Sequence, residues 1–257
     1  MKKLTCSLFL LALAPLGSLS AAIVTFDGLA YEDLVTDLPN WSTSESNSTS
    51  HLIAWGEPVA NNMAGAFGGA YVEGINNSVA LRMDSTLYSS YTSVTMDIML
   101  KESTSLAPGR DTFGVGIESV AGASLVDIVF SPAITVNGIA RWEVGYSVGG
   151  SSNITYTGFV LNEDAWYDIG IDFSGSSFNL TFANSLGSIN VPGTVAGFDG
   201  ATNGLGDVVF NWDKAPATAF GDNYMIFDNV NVVAAVPEPS AALLTGLGAL
   251  ALLRRRR

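Results

Sequence analysis

The sequence predicts an all-β protein, with two antiparallel sheets packed face to face as a jelly-roll sandwich. Three observations predict it. Apolar residues recur with period 2 in short runs, clusters of Gly, Asn, Ser or Pro separate the runs, and helical spacing is scarce between the two ends of the chain. The chain has 257 residues, 48% of them hydrophobic, which is enough for one sizeable core. No internal repeat and no long linker divides it.

The first element is an export signal. Lys2 and Lys3 give a positive start, Leu4 to Leu16 is apolar, and Ser18-Leu19-Ser20-Ala21-Ala22 supplies small residues. This predicts a signal helix over 1–22, cut after Ala22. Cys6 is the only cysteine and leaves with the signal, so the mature body has no disulfide, thiolate site or cysteine nucleophile. Ile23 to Gly28 reads as the first strand. Trp41 to His51, WSTSESNSTSH, reads as an exposed polar loop, and the Gly/Asn-rich stretch from Ala54 to Ala80 is ambiguous.

The next segments alternate clearly. Over Ser93 to Lys101, Val94, Met96, Ile98 and Leu100 oppose Thr95, Asp97, Met99 and Lys101. Phe113, Val115 and Ile117 form a second stripe, and Leu125 to Phe130, Ile134 to Val136 and Arg141 to Val148 continue the series. Trp166, Asp168, Gly170 and Asp172 alternate with Tyr167, Ile169, Ile171 and Phe173, and Phe178, Leu180 and Phe182 oppose Asn179 and Thr181. Val208 to Trp212 and Met225 to Val233 complete the strands, while Gly149 to Asn153 and Ser174-Gly175-Ser176 read as hairpin turns.

The chain ends with Val236-Pro237-Glu238-Pro239, an apolar run from Ala241 to Leu253, and Arg254, Arg255, Arg256 and Arg257. Four arginines hold the end on the cytoplasmic side, and the apolar run is shorter than the roughly 20 residues of a stable span. In this order the three parts resemble the PEP-CTERM sorting signal. The resemblance implies a short C-terminal hydrophobic helix, processing by an exosortase after signal peptidase has acted, and a cell-surface or extracellular destination in an exopolysaccharide-producing Gram-negative bacterium. The expected domains are a signal peptide over 1–22, a β-sandwich over 23–235 and a sorting signal over 236–257.

Removing both ends takes six of the 11 basic and one of the 24 acidic residues, so the body carries a formal charge of −18. That excludes nucleic acid and anionic lipid as partners. It suits solubility at a surface, cation binding, or association with a neutral or cationic polymer.

Ala165 to Phe173, the Ser-Gly-Ser turn and Ser177 to Phe182 resemble the paired strands of concanavalin A-like, laminin-G-like sandwiches. Tyr224 to Val232 is similar to the last strand of such domains, and Ile23 to Gly28 to the first, which lies beside it. The resemblance implies a lectin-like body. It also implies, as the alternative, a secreted glycan-active hydrolase.

Catalytic motifs are sparse. Gly145-Tyr146-Ser147-Val148-Gly149 matches G-x-S-x-G, but a turn and another strand come next where a nucleophile elbow needs a helix, and His51, the only histidine, lies upstream. No E-x-D-x-x-E string occurs. Asp168 and Asp172 share a strand face but stand roughly 13 Å apart at strand rise, wider than the about 5–9.5 Å of glycoside hydrolysis. The reading is therefore a non-enzymatic, exopolysaccharide-binding surface or matrix protein. A cleft holding two carboxylates from different strands about 5–9 Å apart, one with a raised pKa, would favour the hydrolase.

Zinc is excluded by the single histidine and the cysteine-free body. Calcium is the candidate cofactor, with Asp199, Asn203 and Asp207 in a Gly-rich loop, and Asp27 and Asp228 near the ends of neighbouring strands. Trp41, Trp55 and Trp142 are the candidates for stacking on sugar rings.

Overall fold

The computed structural model describes residues 22–26, 29–30, 33–44, 51–55, 63–69, 78–84, 91–102, 110–199, 204–213 and 223–234. Both expected terminal helices, with Val236, Pro237, Glu238, Pro239 and Arg254 to Arg257, lie outside these residues.

Fifteen strands are described: β1 (Ala22–Val24), β2 (Trp41–Thr43), β3 (His51–Trp55), β4 (Met63–Gly69), β5 (Ser78–Met83), β6 (Tyr91–Glu102), β7 (Thr112–Ser119), β8 (Ser124–Val136), β9 (Ile139–Val148), β10 (Thr155–Asn162), β11 (Trp166–Ser174), β12 (Ser177–Asn184), β13 (Gly187–Thr194), β14 (Leu205–Asp213) and β15 (Asn223–Ala234). The one helical turn among the described residues is 3-10, Val35–Asp37.

Sheet A runs β13-β12-β11-β6-β15-β4-β3, with β1 also paired to β15, and sheet B runs β10-β9-β8-β7-β14-β5-β2. Every pairing described is antiparallel. The all-β, two-sheet expectation therefore stands for the body.

The period-2 stripes face inward. Val94, Met96, Ile98 and Leu100 of β6 and Tyr167, Ile169, Ile171 and Phe173 of β11 are buried against Phe113, Val115 and Ile117 of β7 and Ile128 and Phe130 of β8. The rings of Phe210 (β14) and Phe227 (β15) stack 4.2 Å apart, tying one sheet to the other.

Three local expectations change. The runs at 125–130 and 134–136 form one strand, β8. Trp41 and His51, placed in an exposed loop, belong to β2 and β3. The hairpins that add β10 and β13 at the sheet edges have no strong apolar alternation, because edge strands bury little: β13 is half-buried or exposed throughout.

Strand β15 contains a bulge that shapes the outer face of sheet A. Its register with β6 breaks between Asp228 and Asn231, and Asn229 takes a φ of 50°. Asparagine tolerates this left-handed conformation better than most side chains. The extra residue returns Val230 and Val232 to the core and turns Asn231 to the outer face. At the same place the outer partner of β15 changes from β4 to β1.

Candidate functional site: a glycine-floored cleft on sheet A

The outward residues of β11 are Trp166, Asp168, Gly170 and Asp172. Register sets their neighbours. Asp168 lies opposite Asp97 of β6, which lies opposite Asp228 of β15, while Gly170 lies between Thr95 of β6 and Thr181 of β12. A side chain is missing from the middle of this face. A Cβ on Gly170 would meet only Thr181 and Thr95, at 3.5 and 3.7 Å, so the space above it is open.

That space is a cleft of about 510 Å³ lined by Thr95, Asp97, Asp168, Gly170, Asp172, Thr181, Asn229 and Asn231. The bulge brings the Asn229 amide to Asp97, to which it donates at 2.7 Å. Thr181 donates to Asn190 at 2.9 Å. The Oδ1 of Asn231 is buried and has no hydrogen-bond partner among the described residues. Lys101, a cation on the same strand face as Asp97, stands 3.8 Å from Asp164.

Asp97 is the perturbed acid. Burial pushes its carboxyl above the ordinary range. The Asn229 donor opposes the rise, and a hydrogen bond to Asp168 with the charges of Asp168 and Asp228 adds to it.

Beyond the acids the same face becomes apolar. Trp166, two residues before Asp168, packs with Tyr224 on Met99, Ile226, Ala64 and Ala66. An aromatic ring thus stands roughly 7 Å along the strand from a carboxyl pair.

The stacking candidates lie elsewhere. Trp142 is fully buried, with its Nε1 donating to the Asp111 carbonyl at 3.2 Å and the Arg110 guanidinium 5.5 Å from its ring. Trp41 stacks on Phe210 and Phe227 at 5.7 and 5.8 Å. Neither presents a face to a ligand, and both are corrected to core residues. Trp142 shares the phase of buried Val144, a signal present in the alternation. The side chain of Trp55 lies outside the described residues.

Of the five calcium candidates, Asp199, Asp207 and Asp228 are among the described residues. Asp27 and Asn203 lie outside the described residues, and Asp199 is exposed. Asp207 faces Arg82 at 3.6 Å, and buried Asp228 accepts from the Asn229 backbone N–H at 2.7 Å. Among the described residues no cluster of three His, Cys, Asp or Glu side chains is arranged to hold a metal ion. Ala22, the expected cleavage point, opens β1 opposite Val232. Ser147 of the G-x-S-x-G match is buried one residue before the end of β9, opposite Asp127, and a turn leads from its strand to β10.

Sequence reasoning put Asp97 and Asp168 on outward faces but not beside each other. The Asn229 bulge has a signal in the sequence: the inward apolar residues stand at 225 and 227 before Asp228-Asn229 and at 230 and 232 after it, a change of phase within one strand.

No family model matches the chain, and no curated protein matches it. Among solved structures it is similar to an alginate lyase from Klebsiella pneumoniae, with TM-score 0.49 and 7% identity over 75% of this chain and 86% of that one. It is similar to a laminarinase from Flavobacterium sp. UMI-01, with TM-score 0.49 and 12% identity over 79% and 95%. It is also similar to winged bean acidic lectin, with TM-score 0.45 and 10% identity over 82% and 99%. The similar structures include two enzymes and a lectin, so the expectation of a protein without catalysis is corrected: the fold is ambiguous between the two. That expectation also rested on the spacing of acids along one strand, whereas Asp97 and Asp168 meet across two. Sandwiches of this kind serve both binding and catalysis.

Proposed function

We propose that this protein binds polysaccharide in the cleft over Gly170. One observation carries the reading: an open, glycine-floored cleft lined by Asp, Asn and Thr, with the Trp166 ring on the same face. Hydroxyl-rich ligands need fixed acceptors at close spacing, and an aromatic neighbour covers the apolar side of a sugar ring. A glycan array run with the full chain and with Gly170→Leu tests it. Saturable binding that disappears in the variant supports the site. Binding that the variant leaves intact overturns it, as does no binding at all.

The raised pKa of Asp97 favours a second reading, in which the bound glycan is also cleaved. Asp97 and Asp168 are in contact, closer than the about 5–9.5 Å of two-carboxylate hydrolysis, so Asp97 would act as a single acid. It gives its proton to the glycosidic oxygen as that bond breaks, and a water adds to the sugar carbon and returns a proton to the acid pair. Release of reducing ends that is lost in Asp97→Asn, with binding retained, is the expected result. No release from any bound glycan rejects it.

We place the protein at the cell surface or outside the cell, exported by the N-terminal signal and handled by an exosortase at the Pro-Glu-Pro tail. The support is the order of sequence elements at each end. Mass spectrometry of the processed protein should find an N-terminus at Ile23 and a C-terminus near Pro237 to Pro239. An intact tail on the surface form would reject the sorting step.

A further inference from the structure

The floor of the cleft belongs to a longer feature. Register aligns five outward positions in one row across five strands of sheet A: Asn231 of β15, Thr95 of β6, Gly170 of β11, Thr181 of β12 and Asn190 of β13. At the usual spacing of neighbouring strands the row is roughly 19 Å long. Apart from the glycine, each position carries an amide or a hydroxyl, and none carries a charge. The cleft covers the row from Asn231 to Thr181.

Beyond the cleft the row ends in a side-chain network at the exposed edge of the sheet. The Thr181 hydroxyl and the Asn179 amide both donate to the Asn190 carbonyl oxygen, at 2.9 and 3.3 Å. This leaves the Asn190 amide nitrogen and the Asn179 carbonyl oxygen without partners among the described residues. Asn190 is exposed, so water would otherwise satisfy these groups and the network adds little stability. What it fixes is position: a donor and an acceptor are held on adjacent strands, on the same face as the cleft. A sugar hydroxyl both donates and accepts, and so complements such a pair. A carboxylate brings acceptors only, and it would meet Asp168 and Asp172 in the cleft and the acidic body around it.

We infer that Asn179, Thr181 and Asn190 form a second contact for the same ligand, a neutral glycan chain that lies across the strands from the cleft over Gly170 to the edge at β13. This rests on the glycan-binding reading and deepens it. At roughly one sugar unit per strand spacing, the row takes about four units.

The test is calorimetry of the full chain with β-linked glucose oligomers of two to six units, and with an alginate hexamer as the uronate. Affinity should rise up to about four units and then level off. Asn190→Ala should weaken binding of the hexamer about three- to tenfold, the worth of one or two ordinary hydrogen bonds, and leave the dimer in the cleft unchanged. Ser188→Ala, on the same strand but outside the row, should change neither. Circular dichroism confirms that both variants are folded. Affinity that stops rising at the dimer, or an Asn190→Ala effect that is absent or equal at both lengths, overturns the inference and leaves the glycan reading standing. Equal effects of the two variants also overturn it, since general polarity of the edge would then account for them. Tighter binding of the alginate hexamer overturns the neutral ligand. If no glucose oligomer binds, the inference falls, and the array with Gly170→Leu decides the glycan reading separately.

Discussion

Both sheets place carboxylates over a glycine on their outer faces, and the two arrangements differ in one respect. On sheet B, Gly116 lies under Asp127, whose Oδ1 occupies the space a side chain would take: a Cβ there would sit 2.5 Å from it. Ser124 donates to Asp127 at 2.6 Å, and Arg82 reaches Glu118 at 2.6 Å and Asp207 at 3.6 Å. Burial raises the pKa of Asp127 and of Asp207, and for Asp207 the Arg82 charge opposes the rise. That surface is filled by its own side chains, and one arginine stands among its carboxylates. On sheet A the space over Gly170 stays open, and among the described residues no arginine lines it. Acidic residues are common on both faces, so composition does not mark the site; open space and missing counter-charge do.

Matched glycine substitutions test the comparison most strongly. In Gly114→Ala, on sheet B beside Gly116, the new Cβ lies 2.6 Å from the Ile128 carbonyl oxygen, which is backbone and cannot step aside. Thermal unfolding should show a loss of about 1–3 kcal/mol, a fall of several degrees in Tm. Gly170→Ala meets only ordinary contacts and removes a flexible residue from a strand, so its stability should match or exceed the parent by up to about 0.5–1 kcal/mol. Equal losses at both positions would break the comparison.

Arg82→Met gives a smaller effect. Arg82 is partly exposed, so its loss should cost about 1 kcal/mol or less. The cost should appear at neutral pH, where the carboxylates facing Arg82 lose their counter-charge, and fade in acid. Chemical unfolding at pH 7 and pH 4 gives the difference, and a loss independent of pH would assign Arg82 a packing role.

The smallest effect concerns Asp97. Its pKa is higher in the fold than in the unfolded chain, so folding disfavours its ionised form. The native Asp97 therefore costs stability progressively as pH rises through its folded pKa, and costs nothing below its unfolded pKa. Asp97→Asn should raise Tm at neutral pH by about 1–2 °C, since solvent screens the group, and the gain should vanish in acid. A lower Tm in the variant at neutral pH would show that the carboxylate is better satisfied than its surroundings indicate.

Much of the fold is legible as alternation. The stripes at 94–100, 167–173 and 178–182 name both the strands and their buried faces, because a half-buried strand must alternate. What alternation cannot give is register between distant strands. Asp97 and Asp168 meet only because β6 and β11 pair with no slip between Trp166 and Asp172. Nor does it reveal the fate of an aromatic in polar sequence. Trp41 stands among serines and threonines, yet Asn40, at a φ of 72°, turns the chain so that Trp41 pairs with Met83 and packs on Phe227.

Strand order has a consequence for the making of the chain. The last two strands, β14 and β15, lie inside their sheets: β14 separates β7 from β5, and β15 separates β6 from β4. Until residues 205–234 are present, β2 with β5 and β3 with β4 have no sheet to join, and β6 and β7 each offer an open edge. Before then only two blocks, β6-β11-β12-β13 and β7-β8-β9-β10, have their partners, so neither sheet is complete until the final strands arrive. Delivery across a membrane in an unfolded state then asks nothing unusual of this protein. Fragments ending before Leu205 should be captured by holdase chaperones or degraded rather than accumulate as partial domains.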